Sequence, residues 1–237
     1  MKKIAILGST GSIGNTLINI VKKHKKDYQI VLLTADKNYK KIIKQVNLFN
    51  VKNIIITDKR SFLIAKKNLE NKKINIYNDF NSLKKIFKNK KIDYTMSAIS
   101  TFAGLEPTLN IIQFTKTIAI ANKESIICGW NLIKKELNKH NVKFIPIDSE
   151  HFSIWSLIGK TQNCNLEKIY LTASGGPFRR LPINQFKNIT ITKALKHPNW
   201  SMGKKISIDS ATMMNKVFEI IEAKKIFNLN YGQLEIL

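Results

Sequence analysis

The stretch IAILGSTGSIG, residues 4–14, decides the fold of the first part of this chain. Ile4–Leu7 predicts a short strand, and three glycines at Gly-x-x-Gly-x-x-Gly spacing follow it directly. Apolar side chains then recur at helical spacing from Ile13 to Val21. Strand, glycine turn and helix are typical of a dinucleotide-binding turn, where the backbone approaches a pyrophosphate at the helix N-terminus. The spacing differs from the usual Gly-x-Gly-x-x-Gly, so a purely structural turn stays an alternative.

The end of the second predicted strand bears on the kind of dinucleotide. That strand, Gln29–Thr34, runs into Ala35, Asp36, Lys37 and Asn38. In a Rossmann domain an acidic residue here favours a free ribose 2′-hydroxyl, whereas a basic residue accommodates a 2′-phosphate. Because Asp36 and Lys37 stand side by side, the residues alone leave NAD and NADP open.

Strands and helices continue to alternate up to residue 148. The later predicted strands are Asn53–Thr57, Asn75–Tyr77, Tyr94–Ala98, Thr117–Ala121 and Val142–Ile147. The predicted helices are Phe62–Leu69, Ser82–Phe87, Leu105–Phe114 and Glu124–His140, the last with an apolar face of Ile127, Leu132, Ile133 and Leu137. Repeated βα units predict an α/β fold, a Rossmann-like, mostly parallel sheet whose ligands bind at the carboxyl ends of the strands.

Two carboxylates follow the last of these strands, at Asp148 and Glu150. If the backbone continued extended, alternate side chains would converge on one spot and Ser149 would face elsewhere. Paired carboxylate oxygens suit Mg²⁺ or Mn²⁺ better than zinc. The alternative is that Asp148 or Ser149 caps a helix predicted at 151–157.

The pattern changes after residue 148, and residues 149–237 predict a second, α+β domain. A strand at Lys168–Thr172 leads into Ser174–Phe178, a loop able to present N–H groups to an anion. Residues 178–205 lack sustained periodicity beyond a short helix, Thr192–Leu195, which predicts a lid or binding loop.

A helix is predicted to start at Asp209–Thr212 and to carry a core-facing stripe. The stripe consists of Met214, Val217, Phe218, Ile221 and Ile226. Asn215 and Glu219 are four residues apart and therefore share a helix face. A site carboxylate and a solvated acid are both open interpretations of Glu219, and the second is the commoner case. The last strand-like run is Gln233–Leu237.

Composition and charge exclude some classes of protein and leave a nucleic-acid-binding protein open. The 237 residues have a formal net charge of +24, almost all of it from lysine spread over the helices, and arginine occurs only at Arg60, Arg179 and Arg180. A nucleic-acid surface is one hypothesis, but base readout favours arginine, so a solvated lysine surface is the preferred interpretation. The sequence has no apolar run long enough to predict a membrane span, and its N-terminus lacks a signal-peptide pattern. Together these features predict a cytoplasmic protein. The two cysteines are too few for a disulfide framework.

Segments in order along almost the whole chain resemble the 1-deoxy-D-xylulose 5-phosphate reductoisomerases, enzymes of the non-mevalonate isoprenoid route. The matching segments are GSTGSIG at 8–14, ANKES at 121–125, PIDSEH at 146–151, SGGPF at 174–178, HPNWSMGKKI at 197–206, and IDSATMMNK at 208–216 followed by Glu219. The resemblance implies an NADPH- and Mg²⁺- or Mn²⁺-dependent enzyme that converts 1-deoxy-D-xylulose 5-phosphate into 2-C-methyl-D-erythritol 4-phosphate.

The resemblance also implies roles for individual residues. NADPH would contact Thr10, Gly11, Ser12, Ile13, Lys37, Asn38, Asn122, Glu124 and Gly203. The metal would be bound by Asp148, Glu150 and Glu219, which with Lys123 form the catalytic set. The phosphorylated sugar would be bound by Lys123, Ser149, Glu150, Ser174, His197, Trp200, Ser210, Asn215, Lys216 and Glu219. Residues 1–148 would then be the NADPH-binding domain and residues 149–237 a partial catalytic domain with its lid at about 178–205.

Three residues depart from the family pattern. Asp36 replaces a usually small residue, and its charge would lie near a 2′-phosphate; Thr101 and Val217 each replace a usual glycine. Family members also continue through further strands and a C-terminal helical domain, so the resemblance implies a C-terminally truncated chain whose full-length form is a homodimer. The alternatives are an NADPH-binding remnant without turnover, a simple NAD(P)-dependent dehydrogenase, and a lysine-rich nucleic-acid-binding protein; the resemblance implies no nucleic-acid and no membrane partner.

Overall fold

The computed structural model describes residues 1–88, 90–158, 166–199 and 203–237. The chain forms two compact units, Met1–Asp148 and Ser149–Leu237. In the described part of the chain, no helix combines the length and the apolar character that a membrane span requires.

The first unit is built around a seven-stranded sheet in which every pair of neighbouring strands is parallel. Its strands are β1 Lys2–Leu7, β2 Tyr28–Ala35, β3 Asn53–Ile56, β4 Asn75–Tyr77, β5 Tyr94–Ser97, β6 Thr117–Ile120 and β7 Lys143–Pro146. Its helices are α1 Ser12–Lys23, α2 Tyr39–Phe49, α3 Lys59–Asn68, α4 Leu83–Phe87, α5 Leu105–Ile112 and α6 Lys123–His140. The predicted Rossmann-like sheet is confirmed.

The strand order β4-β3-β2-β1-β5-β6-β7 fixes where a ligand can bind in the first unit. The chain moves outward from β1 to β4 and then returns to the other side of β1, so the order reverses between β1 and β5. In open parallel sheets the crevice for a ligand opens at this reversal, beyond the carboxyl ends of the strands. Ile6, Leu33 and Ile54 are fully buried and belong to the sheet core, which holds these strand ends in place.

The second unit combines helices with a small parallel sheet. Its elements are α7 Ser149–Ile158, β8 Ile169–Leu171, a 3-10 turn Ile183–Asn188, α8 Ile191–Ala194, α9 Lys204–Ala211, α10 Met214–Phe227 and β9 Leu234–Ile236. Strands β8 and β9 pair in parallel. Ile154, Leu171 and Ala223 form the buried centre and join α7, β8 and α10.

Several predicted elements need correction. Helix α2 was not predicted, although Ile42, Val46 and Phe49 recur at helical spacing; its buried face also includes a glutamine, Gln45. Asp209–Thr212 is not a helix start: α9 ends at Ala211, and Met213 adopts a left-handed backbone, φ +60°, that separates α9 from α10. The predicted apolar face of α6 is also partly wrong, since Leu132 is exposed while Trp130 is buried.

Helix α10 buries the opposite side from the one predicted. Met214 and Val217 are 40% and 43% exposed, whereas Lys216, Glu219 and Glu222 are at most 6% exposed. Glu219 is therefore not a solvated acid. The helix turns a charged face inward, which is the first structural indication of a site.

Candidate functional site

In the first unit, the turn after β1 packs directly against the turn after β5. Gly8 has φ +76°, and a Cβ atom there would lie 2.8 Å from the carbonyl oxygen of Ala98. A glycine is therefore required both for the backbone conformation and for the close approach. The contact lies at the carboxyl ends of the two strands where the sheet order reverses.

The predicted pyrophosphate residues lie at the N-terminus of α1. Gly11 is the N-cap and has an extended backbone without a side-chain cap, and Ser12 and Ile13 are exposed. Lys41 of α2 donates to the carbonyl oxygen of Thr10 at 3.0 Å. Exposed N–H groups at the start of a 12-residue helix, with a lysine ammonium beside them, form an environment that favours an anion.

The predicted ribose residues lie at the end of β2. Asn38 caps α2 and accepts a hydrogen bond from the N–H of Lys41. Asp36 accepts one from Thr57 Oγ1 at 2.9 Å, and Lys37 is exposed beside it. Asp36 thus contacts the residue that follows β3, and both its carboxylate and the Lys37 ammonium lie at this end of the sheet.

Residues 122–124 follow β6. Asn122 is 3% exposed; its side chain accepts from the N–H of Ser125 and donates to the carbonyl oxygens of Ile99 and Thr101. Its amide therefore fixes the loop after β5 to the start of α6. Glu124 lies half-buried in the first turn of α6. Lys123 Nζ lies 2.7 Å from Asp148 Oδ2, so the first unit brings these two catalytic candidates together.

In the second unit, α7 and α10 bring carboxylates around one ammonium. Lys216 Nζ lies 2.5 Å from Glu219 Oε2 and 3.4 Å from Glu150 Oε1, and it donates to the carbonyl oxygen of Thr172 at 2.6 Å. Asn215 Nδ2 donates to the other oxygen of Glu219. A positive charge shared by Glu150 and Glu219 occupies the kind of environment that a divalent cation requires.

The expected geometry of Asp148, Ser149 and Glu150 is wrong in two respects. The backbone does not continue extended, because α7 begins at Ser149. Ser149 does not face away either: its hydroxyl donates to Glu150 Oε2 at 2.6 Å. The first helical turn thus places the serine and the glutamate side by side.

A second group of predicted residues surrounds the loop after β8. Ser174 Oγ lies 3.1 Å from His197 Nε2, and the N–H of Gly176 donates to Ser174 Oγ. His197 Nδ1 accepts from the N–H of Asn199, which places the ring proton on Nε2. A Cβ atom at Gly176 would lie 2.5 Å from the carbonyl oxygen of Ser210, so the end of α9 packs against this loop.

Two predicted contacts are not found in these groups. Gly203 caps α9 and is exposed, and among the described residues no atom beyond its chain neighbours lies within 4 Å of where its Cβ would be. Trp200, predicted to cover the substrate, lies outside the described residues, as does part of the predicted lid.

The residue-based reasoning missed two buried groups. His151 and Glu222 are each 1% exposed and lie in the second unit beside Glu219. The sequence contains a feature that could have identified each residue. His151 is the last residue of the PIDSEH segment, and Glu222 lies three residues after Glu219 and hence on the same helix face.

Two family models match this chain. Residues 4–129 match the model of 1-deoxy-D-xylulose 5-phosphate reductoisomerase, and residues 144–227 match the model of its C-terminal domain. The chain belongs to the 1-deoxy-D-xylulose 5-phosphate reductoisomerase family. It is 70% identical, over its full length, to the reductoisomerase of Pelagibacter ubique strain HTCC1062 and 43% identical to that of Clostridium novyi strain NT.

Solved reductoisomerase structures share the backbone. A DOX-P reductoisomerase in complex with NADPH, fosmidomycin and magnesium superimposes with a TM-score of 0.90 at 34% identity, over 100% of this chain and 60% of the other. The Zymomonas mobilis reductoisomerase in complex with NADPH gives 0.88 at 34%, over 99% of this chain and 60% of the other. The chain spans 61% and 62% of the lengths of the Pelagibacter and Clostridium relatives.

Proposed function

We propose that this chain carries the NADPH-binding and metal-binding parts of a reductoisomerase that converts 1-deoxy-D-xylulose 5-phosphate into 2-C-methyl-D-erythritol 4-phosphate. One observation carries the proposal: Glu150 and Glu219 share the Lys216 ammonium in the second unit. A simple dehydrogenase has no use for such a cluster. The solved relatives in complex with NADPH and with magnesium support the same conclusion.

The donor set fits Mg²⁺ or Mn²⁺. Glu150 and Glu219 offer hard carboxylate oxygens, and Asp148 is only two residues before Glu150 in the chain. Glu219 is 1% exposed, and a buried carboxylate requires a cation or an ion-pair partner. We propose that Asp148, Glu150 and Glu219 bind the metal, which as a Lewis acid polarises the substrate's oxygens.

The chain's own residues then prepare this set. Ser149 donates to Glu150, and Asn215 donates to Glu219, so each carboxylate keeps one oxygen oriented by a neighbour. The Lys216 ammonium offsets one of their two negative charges, and a bound cation would offset the other. Lys216 also donates a hydrogen bond to the Thr172 carbonyl, which further fixes the position of its ammonium. We propose that the ammonium contacts the substrate phosphate from this position.

The loop after β8 supplies the remaining substrate contacts in this proposal. With the ring proton of His197 on Nε2, the imidazole donates to Ser174 Oγ, and the serine hydroxyl proton is directed elsewhere. Ser174, Ser210 and Lys216 thus supply donors suited to a phosphate group. We assign Trp200 to the cover of the substrate, which would exclude water from the reaction.

In the first unit, we propose that NADPH supplies the hydride and binds at the start of α1. Thr10, Gly11, Ser12 and Ile13 would contact the pyrophosphate, and Lys37 and Asn38 the 2′-phosphate of the ribose. Asn122, Glu124 and Gly203 would complete the cofactor contacts, and Lys123 would reach the substrate. The homodimer and the cytoplasmic location stay predictions from the sequence.

The decisive experiment measures NADPH oxidation by the purified chain with 1-deoxy-D-xylulose 5-phosphate and Mn²⁺. Glu150→Gln should reduce the rate at least about a hundredfold, as expected when a group that stabilises developing charge is lost. Glu167→Gln, at an exposed glutamate, is the matched control and should keep the wild-type rate.

NADPH binding, measured by the fluorescence of the nicotinamide, distinguishes the possible reasons for an inactive chain. A chain that binds NADPH without turnover would be the cofactor-binding remnant rather than an enzyme. A folded chain that does not bind NADPH would refute the cofactor assignment as well.

A further inference from the structure

A buried imidazole lies between α7 and α10 in the second unit and belongs to no role assigned above. His151 is 1% exposed, and its Nε2 lies 2.9 Å from the main-chain carbonyl oxygen of Glu219. A carbonyl oxygen only accepts, so Nε2 carries the proton and donates. In a helix this oxygen also faces the N–H four residues later, and the imidazole therefore uses its second lone pair.

A buried carboxylate accompanies the ring. Glu222 Oε2 lies 3.8 Å from His151 Nδ1, and the two side chains are 2% and 1% exposed. Glu219 and Glu222 are three residues apart on α10 and therefore lie on one face of that helix, the face that contacts the His151 ring. The imidazole consequently faces α10 at two points, the backbone of Glu219 with one nitrogen and the side chain of Glu222 with the other.

We propose that His151 is a positioning residue for the metal ligands and that Glu222 orients its ring; this inference rests on the proposed metal-binding role of Glu150 and Glu219. His151 directly follows Glu150 in the first turn of α7. One hydrogen bond from His151 to the backbone of Glu219 therefore fixes the turn that carries one carboxylate against the turn that carries the other. A proton on Nδ1 or on the Glu222 carboxyl group makes this second approach attractive, and Glu222 then keeps the imidazole plane directed at the Glu219 carbonyl.

The competing explanation is a hydrogen bond that only stabilises the fold. The two explanations differ in what a change at His151 affects. A structural bond lowers the melting temperature and leaves the metal affinity of the folded molecules unchanged. A positioning bond changes the metal affinity at temperatures where every variant is folded, since partners that orient metal ligands typically contribute about 10–100-fold.

Two substitutions at the same position separate the two nitrogens of the ring. The amide nitrogen of His151→Gln reaches about as far as Nε2 and can still donate to the Glu219 carbonyl. The shorter amide of His151→Asn reaches about as far as Nδ1, and the bond to Glu219 is lost. Ile154→Val, at a buried position one turn along α7, is the matched control for a loss of packing.

The measurement is the Mn²⁺ dissociation constant of each variant of the full chain, from the electron paramagnetic resonance of free Mn²⁺, well below each melting temperature. We expect His151→Asn to weaken Mn²⁺ binding about 10–100-fold, His151→Gln to stay within about threefold of the wild type, and Ile154→Val to leave it unchanged. Glu222→Met, which removes the polar partner of Nδ1, should weaken binding in the wild-type background and have little further effect beside His151→Asn, because the pair acts as a unit.

Each result decides between the explanations. Wild-type affinity in His151→Asn together with a lower melting temperature would overturn the inference and leave the proposed function intact. Equal losses in the Gln and Asn variants would also overturn it, because the bond to Glu219 would then not be the cause. If the wild-type chain does not bind Mn²⁺, the proposed metal site fails and the inference fails with it.

Discussion

Lys216 Nζ lies 2.5 Å from Oε2 of Glu219, and the two side chains are 7% and 1% exposed. A carboxylate buried to this degree is stable only beside a positive charge, and α10 supplies that charge from its own sequence three residues earlier. The same ammonium contacts Glu150 of α7 and the carbonyl oxygen of Thr172 after β8. One lysine thus connects three segments of the second unit through their polar groups.

Removing this ammonium should destabilise the second unit strongly. Lys216→Met leaves a buried carboxylate without its ion-pair partner, and we expect the free energy of unfolding to fall by about 3–5 kcal/mol in urea titrations followed by circular dichroism. Lys193→Met, at an exposed lysine, is the control and should change it by less than about 0.5 kcal/mol.

Metal and a second substitution test the origin of that loss. Mn²⁺ should restore part of the stability of Lys216→Met, since a cation bound by Glu219 replaces the ammonium. Glu219→Gln should also restore part of it, because it removes the uncompensated charge. An identical loss in Lys216→Met with and without Glu219→Gln would show that the ion pair is not responsible.

The strands of the first unit could be predicted because each is a run of buried apolar residues bounded by polar ones. Ile54, Ile55 and Ile56 of β3 are all fully buried. Such an uninterrupted apolar run indicates a buried strand whichever elements pack against it. Helix α10 could not be predicted in the same way. Its inward face carries Lys216, Glu219 and Glu222 beside Ala223, and polar partners in α7 and at Thr172 make the burial of the charged groups favourable.

The candidate site was predictable by residue identity and not by geometry. The family segments name Asp148, Ser149 and Glu150, but the sequence left an extended continuation and a capped helix both open, and the structure has a helix that begins at Ser149. Likewise, the sequence does not reveal that Met213 adopts φ +60° and divides one predicted helix into two. Backbone conformations of this kind are imposed by the packing of neighbouring segments.

The turn after β1 makes a further prediction. Gly8→Ala would place a Cβ atom 2.8 Å from the carbonyl oxygen of Ala98 at φ +76°. We expect a loss of at least about 2 kcal/mol from strain and overlap, together with weaker NADPH binding measured by fluorescence titration. Gly232→Ala is the control, because no atom of the described residues beyond its chain neighbours lies within 4 Å of its Cβ position. Equal stability of the two variants would contradict the close approach of the two turns.

Thr101, where the resemblance to the family implies a glycine, has φ +65° and ψ −176°. This region is essentially restricted to glycine, and a β-branched residue there costs about 1–3 kcal/mol. Replacement by glycine relieves this strain. The greater freedom of glycine in the unfolded chain offsets about 0.5–1 kcal/mol of the stability gained. Thr101→Gly should therefore raise the free energy of unfolding by about 0.5–2 kcal/mol in urea titrations, whereas Thr101→Ala, which keeps a Cβ atom, should gain less. A loss of stability in Thr101→Gly would show that the threonine is not strained.

Asp93, just before β5, predicts a pH dependence of stability. The hydrogen bond from the Lys116 side chain and the one from the main-chain N–H of Lys3, both 2.8 Å long, hold the pKa of this carboxyl below its ordinary value of 3.8. A carboxyl whose pKa is lower in the folded state stabilises the fold above the unfolded-state pKa and loses that effect as the pH falls through the folded-state pKa. Asp93→Asn should thus be less stable than the wild type by about 0.5–1 kcal/mol near neutral pH, a small amount because the pair is partly exposed.

The difference between Asp93→Asn and the wild type should stay constant from neutral pH down to about pH 5 and close below about pH 3.8. Urea titrations at a series of pH values measure it. Lys116→Gln removes the main partner and should show the same closing difference, whereas Lys143→Gln, at an exposed lysine that begins β7, should show none. A difference between Asp93→Asn and the wild type that persists at the lowest pH would mean that packing at position 93, rather than the charge, stabilises this end of the sheet.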